Sequence, residues 1–300
     1  MSLPALLLLA AFASQAQELD PTEASALAAQ AAASRPGYKI EKTRGAWFRK
    51  VMAPESAEFE GVEGWGVLPR PVFDPAREHA AAPGEEAYKT GPLDRPDVYL
   101  GLHADGAEVD AGLTWDHVYD RAGRDTGAFA YRVYWRTSKG GWQNPRPGAP
   151  DDLYLRPGER FALTLRALPD GTARLAVRRA GRRERAEGYT FAVPGLLAAG
   201  GGLKPLAFKR VHSIDQFRLE NGLRMGNENR DALPTRARLD GGRWEGAHLL
   251  RADGGRRAFS GALATVSRGV DAADRYGAVF PGAGVGPGGA EDMVVLPPRS

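Results

Sequence analysis

The stretch AEVDAGLTWD, residues 107–116, decides how the chain is read. Val109, Ala111, Leu113 and Trp115 alternate with Glu108, Asp110, Thr114 and Asp116, and a period of two describes a strand buried on one side. Residues i and i+2 share a face at roughly 6.5–7 Å spacing. Glu108 and Asp110 therefore project together, with Asp116 further along. They are read as a catalytic pair, a cation cradle or a solvated surface, and their neighbours must decide.

The flanking segments keep the same period. VYLGLHA (98–104) precedes the stretch, with Asp105-Gly106 as its turn. FAYRVYWRT (129–137) places Phe129, Tyr131, Val133 and Trp135 on one face and Arg132, Tyr134 and Arg136 on the other. RFALTLRAL and TARLAVRRA flank Pro169-Asp170-Gly171, a strong hairpin signal. YTFAVPG (189–195), LAFKRVHSIDQF (206–217), TRARL, RWEGAHLL, ALATVSRG, YGAVF and DMVVLPP carry the rhythm to the end. Beyond an Ala-rich start no segment holds a 3.6-residue period for three turns, and Gly and Pro recur every ten residues or so. The cadence predicts an all-β protein, a jelly-roll (concanavalin-like) antiparallel β-sandwich forming one domain over 38–300.

The opening residues MSLPALLLLAAFASQA read as a signal peptide, residues 1–16, cleaved after Ala16. Its apolar run, Leu3–Phe12, is too short to span a bilayer, and its lack of Lys and Arg points to a misplaced start. Residues 17–37 read as an Ala-rich leader able to form a short helix after Asp20-Pro21. No later segment is apolar enough for a transmembrane span. The chain has no cysteine, which excludes disulfides, thiolate chemistry and zinc ribbons. Export without cysteine points to a bacterial protein that is secreted or periplasmic. The net charge is only +3, and the basic run RRAGRRER (178–185) reads as a solvated hairpin end, so no nucleic acid is expected as a partner.

Several motifs fail on inspection. Gly284 to Gly289 matches G-x-G-x-x-G, but Pro287 interrupts it and a strand-like segment follows, where a dinucleotide site needs a helix. His79, His103, His117, His212 and His248 lack any spacing that converges on zinc. Ser213 lies beside His212, yet no G-x-S-x-G elbow exists. Glu108-Val-Asp110 opens like the catalytic strand of jelly-roll glucanases, but Gly112 and Leu113 stand where the second Glu belongs. Asp116 is a poor substitute. Calcium suits an exported β-protein without thiols, and Asp105, Glu108 and Asp110 leave a structural calcium open, although no D-x-D-x-D-G loop is present. No other cofactor is implied.

What remains is a surface. Glu108, Asp110, Arg132, Tyr134, Arg136 and Trp142, with Gln143, line a concave sheet face. Aromatic faces flanked by planar polar groups suit sugar rings or peptide backbones. The reading is a monomer that binds an envelope or extracellular polymer, a polysaccharide first. The alternative is a hydrolase, glycosidase or peptidase, using Glu108 and Asp110.

VDAGLTWDHVYD (109–120), RPGERFALTL (156–165), KRVHSIDQ (209–216) and RWEGAHLL (243–250) together resemble the YrpD-like family of secreted bacterial proteins, from about Tyr99 onward. The resemblance implies a secreted β-sandwich of lectin-like or glucanase-like shape with no agreed catalytic residues, so none is transferred. A more distant likeness is to glutamic peptidases, also exported β-sandwiches. Their strand resembling VDAGL continues with a catalytic Gln, where this chain has Thr114. Their late strand supplies a Glu, where KRVHSIDQF offers only Asp215 and Gln216.

Overall fold

The structure is a computed structural model, and it describes residues 38–41, 45–80, 90–179, 185–227, 230–260, 265–269, 285–286 and 288–295. The signal peptide and Ala-rich leader lie outside the described residues, as does most of the basic run. Among the described residues the only helical turn is Pro75–Arg77, started by Asp74, whose side chain accepts from the Ala76 amide. Everything else regular is strand, and two packed sheets make the all-β sandwich that alternation predicts.

The main strands are β1 (Ala46–Met52), β2 (Gly61–Val67), β3 (Asp94–Ala104), β4 (Ala107–Tyr119), β5 (Asp125–Thr137), β6 (Gly141–Gln143), β7 (Arg160–Ala167), β8 (Thr172–Arg179), β9 (Arg185–Ala192), β10 (Ala207–Glu220), β11 (Leu223–Gly226), β12 (Arg238–Leu250) and β13 (Glu291–Val295). The larger sheet runs β1-β10-β3-β4-β5-β6, with β11 folded back on β10 and the short strands Thr265–Gly269 and Tyr38–Glu41 beyond β1. The smaller runs β9-β8-β7-β2-β12, with β13 on β12. The hairpin at Pro169–Gly171 forms as expected, joining β7 to β8 in antiparallel register from Ala167↔Ala173 outward.

Two strands begin earlier than their apolar pattern indicates. β3 starts at Asp94 and β5 at Asp125, because backbone pairing extends past the last apolar side chain. The core lies between the sheets. Val98, Leu100 and Leu102 of β3 and Val109, Ala111 and Leu113 of β4 pack toward Phe161, Leu163, Leu165, Trp244 and Leu249 of the opposite layer. The odd residues of β3 and the even residues of β4 and β5 are thereby turned to the sheet's other face.

One polar cluster sits in the interior. Glu291 of β13 pairs with Arg49 of β1 and, at 2.8 Å, with Arg210 of β10. His212 lies beside them with both ring nitrogens unpartnered. Burial, reinforced by Arg49 and Arg210, holds its pKa well below the usual imidazole value.

Candidate functional site

Register fixes which side chains meet on the outer face of the large sheet. Across β10, β3, β4 and β5, one row reads Ser213, Asp97, Thr114, Arg132, and another reads Val211, Tyr99, Gly112, Tyr134. The next row toward the β3–β4 turn reads Lys209, Gly101, Asp110, Arg136. Arg95 lies between Asp215 on one side and Asp116 on the other, the latter position following from the β3–β4 register. The face anticipated from Glu108, Asp110, Arg132, Tyr134 and Arg136 therefore exists as one face.

Its two named carboxylates are already engaged. Lys209 Nζ lies 2.7 Å from both Glu108 Oε1 and Asp110 Oδ1. The crossing is open because Gly101 stands between them: a Cβ there would come within 2.4 Å of Lys209 Cε and 2.9 Å of Asp110 Oδ1. Burial pushes the Asp110 carboxyl up, against the pull of Lys209, while Lys209 holds Glu108 down. Burial opposes the Lys209 charge, but the two acids outweigh it and raise its pKa. Glu108 and Asp110 are thus an ion-pair cluster. Among the described residues no three His, Asp or Glu side chains converge to hold a metal ion.

Arg132 and Tyr134 depart from the expected exposed platform. Arg132 is buried, its Nε 2.8 Å from Asp152 Oδ1 and its Nη1 3.2 Å from Asp116 Oδ2, and it donates to the Pro145 carbonyl at 2.7 Å. Tyr134 is 1% exposed. The cover is Trp142, which lies on edge strand β6. The turn into β6 requires Gly141 at φ 66°. Trp142 Nε1 donates to Asn144 Oδ1, and Asn144 Nδ2 donates to the Val133 carbonyl, pinning the indole over the sheet. It stacks on Tyr134 with centroids 4.1 Å apart. The Arg95 guanidinium sits 4.0 Å from the indole centroid and 4.8 Å from the Phe217 ring, and Arg224 caps Phe217 at 3.9 Å. A column of rings and cations thus runs Tyr134, Trp142, Arg95, Phe217, Arg224.

Below this column lies a carboxyl pair. Asp97 is 1% exposed. Its backbone pairs with Ser213 and Thr114, while Asp215 is two residues further along β10 on the same face. Arg95 Nε is 3.7 Å from Asp97 Oδ1, and Arg95 Nη2 is 3.7 Å from Asp215 Oδ2. Ser213 Oγ donates to Asp215 Oδ1 at 2.9 Å. Asp215 and Thr114 face Asp97 within reach of a hydrogen bond, but neither closes one of standard geometry. Burial raises the Asp97 carboxyl well above its usual range; Arg95 opposes this and the Asp215 charge adds to it. Burial thus favours the protonated form of Asp97, beside a second carboxyl.

A cleft of about 370 Å³ opens beside the pair, on the far side of Arg95 and Thr114; it is bounded by those two with Asp116, Trp142, Phe217 and Arg224, and Asp116 is the carboxylate in its wall. It adjoins, at Tyr119, a hollow of about 650 Å³ bounded by Arg121, Gly148, Pro150 and Tyr154. Burial and Asp116 raise the Tyr119 hydroxyl to about 12, so it stays a neutral donor between the two spaces. Of the anticipated site residues, Arg132 and Trp142 border the cleft, Tyr134 lies beneath it, and Glu108, Asp110 and Arg136 stand in or next to the Lys209 row. Arg95, Asp97, Ser213, Asp215, Phe217 and Arg224 were not anticipated as a group. The R-x-D-x-Y alternation of Arg95, Asp97 and Tyr99 was the available signal.

No protein-family model matches the chain, and no curated protein matches it in sequence. Among solved structures, scytalido-glutamic peptidase with a peptide-based transition-state analogue is similar over 84% of this chain and 98% of that one, at 10% identity and a TM-score of 0.48. SCP-B, a member of the Eqolisin family of peptidases in complex with Ala-Ile-His, covers 71% and 83% at 9% identity and 0.35. The alginate lyase from Klebsiella pneumoniae covers 57% and 55% at 15% identity and 0.29. These likenesses are distant, and no residue role is taken from them. The YrpD-like resemblance gains no family match.

Proposed function

We propose that the chain is an exported, monomeric hydrolase that takes an envelope or extracellular polymer into the cleft beside Asp97 and Asp215, and that the bond it opens is a peptide bond. The supporting observation is the pair itself: a buried Asp97, its pKa raised by burial, with Asp215 within reach and Arg95 spanning both. Adjacent carboxyls suit the activation of water against an amide. Glycosidase carboxyls stand about 5 Å or more apart. The Asp215 carboxylate takes a proton from water as the water oxygen bonds to the carbonyl carbon, and the carbonyl oxygen takes up the negative charge beside Arg95. Re-formation of the C=O bond breaks the C–N bond, and the Asp215 proton passes to the leaving nitrogen, giving an acid and an amine. Asp97, whose oxygens are buried, acts through Arg95 and Asp215 as a positioning residue.

Saccharide binding without catalysis is the second reading, supported by the two hollows that adjoin at Tyr119 and could follow a chain. The sandwiching of Trp142 between Tyr134 and Arg95 weighs against it, since neither indole face is left for a sugar ring. The test is hydrolysis of casein and of pooled glycans from pH 3 to 8. Casein cleavage lost in both Asp97→Asn and Asp215→Asn supports the proposal; cleavage that persists in both, or none by the parent, overturns it.

A further inference from the structure

Three arginines face the cleft, and two have acids of their own. Arg95 serves Asp97 and Asp215, and Arg132 serves Asp152 and Asp116. Arg224 has no ion pair among the described residues; Asp116, across the same cleft, attracts it but is bonded to Arg132. It reaches the cleft from β11, the return strand of the β10 hairpin, where it pairs with Leu219. Its Nη1 and Nη2 donate to the carbonyls of Thr90 and Pro92, each at 3.1 Å, and its plane lies over Phe217. Its Nε is buried without a partner, and one hydrogen on each terminal nitrogen is uncommitted. The guanidinium is therefore fixed in direction, held by neutral acceptors, and still carries its full charge at the cleft wall. Burial, and then repulsion from Arg95, lower its pKa to about 10, and the attraction of Asp116 offsets them only in part. Elsewhere in this protein buried cations are matched to acids, as in Lys209 with Glu108 and Asp110 or Arg210 with Glu291.

We infer that Arg224 seats a carboxylate of the bound chain, making the substrate an acidic peptide. The inference rests on the peptide reading of the cleft and adds its selectivity. A planar guanidinium with free N–H groups offers directional, charge-assisted bonds to such a group. The carboxylate can belong to an Asp or Glu side chain or to the end of the chain.

The experiment measures fluorescence anisotropy of dye-labelled, alanine-rich octapeptides on the Asp215→Asn variant, which keeps binding separate from cleavage. One peptide is capped at both ends with a central Glu, one is capped with a central Gln, and one carries Gln with a free terminal carboxylate. The Glu peptide is expected to bind about tenfold tighter than its capped Gln twin, the ratio a charge-assisted bond supplies. Arg224→Gln in the same background is expected to remove the difference. Tight binding of the free-ended Gln peptide assigns the seat to a chain terminus instead of a side chain. Equal binding of all three peptides, or a preference that survives Arg224→Gln, overturns the inference. Should Arg224→Gln fail to fold, the Glu-to-Gln ratio at low salt and at about 1 M salt decides it: a ratio that collapses with salt supports the seat, and a ratio of one at low salt overturns it. Acidic selectivity without cleavage by the parent would sink the hydrolase alone, while cleavage indifferent to acidity would sink the seat alone.

Discussion

The indole of Trp142 lies flat on the ring of Tyr134, planes 6° apart, and the Arg95 guanidinium occupies its other face. One edge-strand residue thus roofs the carboxyl site and holds the arginine that spans it. Trp142→Ala is expected to destabilise the fold by only about 1–2 kcal/mol, because one stacked pair and one cation–π contact are lost at a residue 37% exposed. Its larger effect is to release Arg95, so casein cleavage falls more than stability does, and Trp142→Phe restores most of it. Chemical denaturation alongside initial rates separates the two effects.

Asp97 gives a pH-dependent prediction with a definite sign. Its folded-state pKa is raised, so the unfolded chain ionises first as pH rises from about 4. Stability falls over the interval between the two pKa values and stays lower above it. Asp97→Asn is therefore expected to be more stable than the parent at neutral pH, to lose that advantage below about pH 4, and to be inactive. Melting temperatures of parent and variant across pH check this; a variant less stable than the parent at pH 7 contradicts it.

The Lys209 cluster predicts an asymmetry. Lys209→Met leaves the largely buried Asp110 carboxyl without its counter-charge and next to Glu108, and is expected to cost about 3–5 kcal/mol. Glu108→Gln, at a half-exposed side chain, is expected to cost under about 1 kcal/mol and to leave cleavage intact. Equilibrium unfolding of both variants tests the order, and loss of activity in Glu108→Gln would return that residue to the catalytic site.

His212 sets the acid limit. Its folded-state pKa lies well below the unfolded value near 6.5. The stability from its burial is complete above that value and is lost as pH falls toward the folded pKa. His212→Leu is expected to flatten the stability profile between pH 6.5 and acid unfolding. An unchanged slope would mean that other groups govern it.

Much of this face was legible in the alternation of AEVDAGLTWD and FAYRVYWRT, because strands buried on one side write their orientation into the residue pattern. Exposure was not legible: a period of two cannot distinguish solvent from a returning hairpin, so Arg132 and Tyr134 read as surface although Trp142 and Asp152 cover them. Asp97 escaped because Pro96 makes D-R-P-D look like a turn, prolines being rare inside a sheet, yet it pairs there with Ile214. Asp215 was noted only as a mismatch to the glutamic-peptidase pattern, and its place on this face was missed for a different reason. β10 is buried on both faces along most of its length, so KRVHSIDQ shows no contrast from which to choose a side. The union of Arg49, Arg210 and Glu291 joins residues far apart in sequence, which no local pattern records.

That last union bears on how the molecule comes into being. The acid shared by Arg49 and Arg210 is supplied by β13, 242 residues after the first and 81 after the second, so a nascent chain carries two interior cations well before their common partner is made. Truncation ahead of Glu291 should therefore yield an aggregating product instead of a smaller folded sandwich.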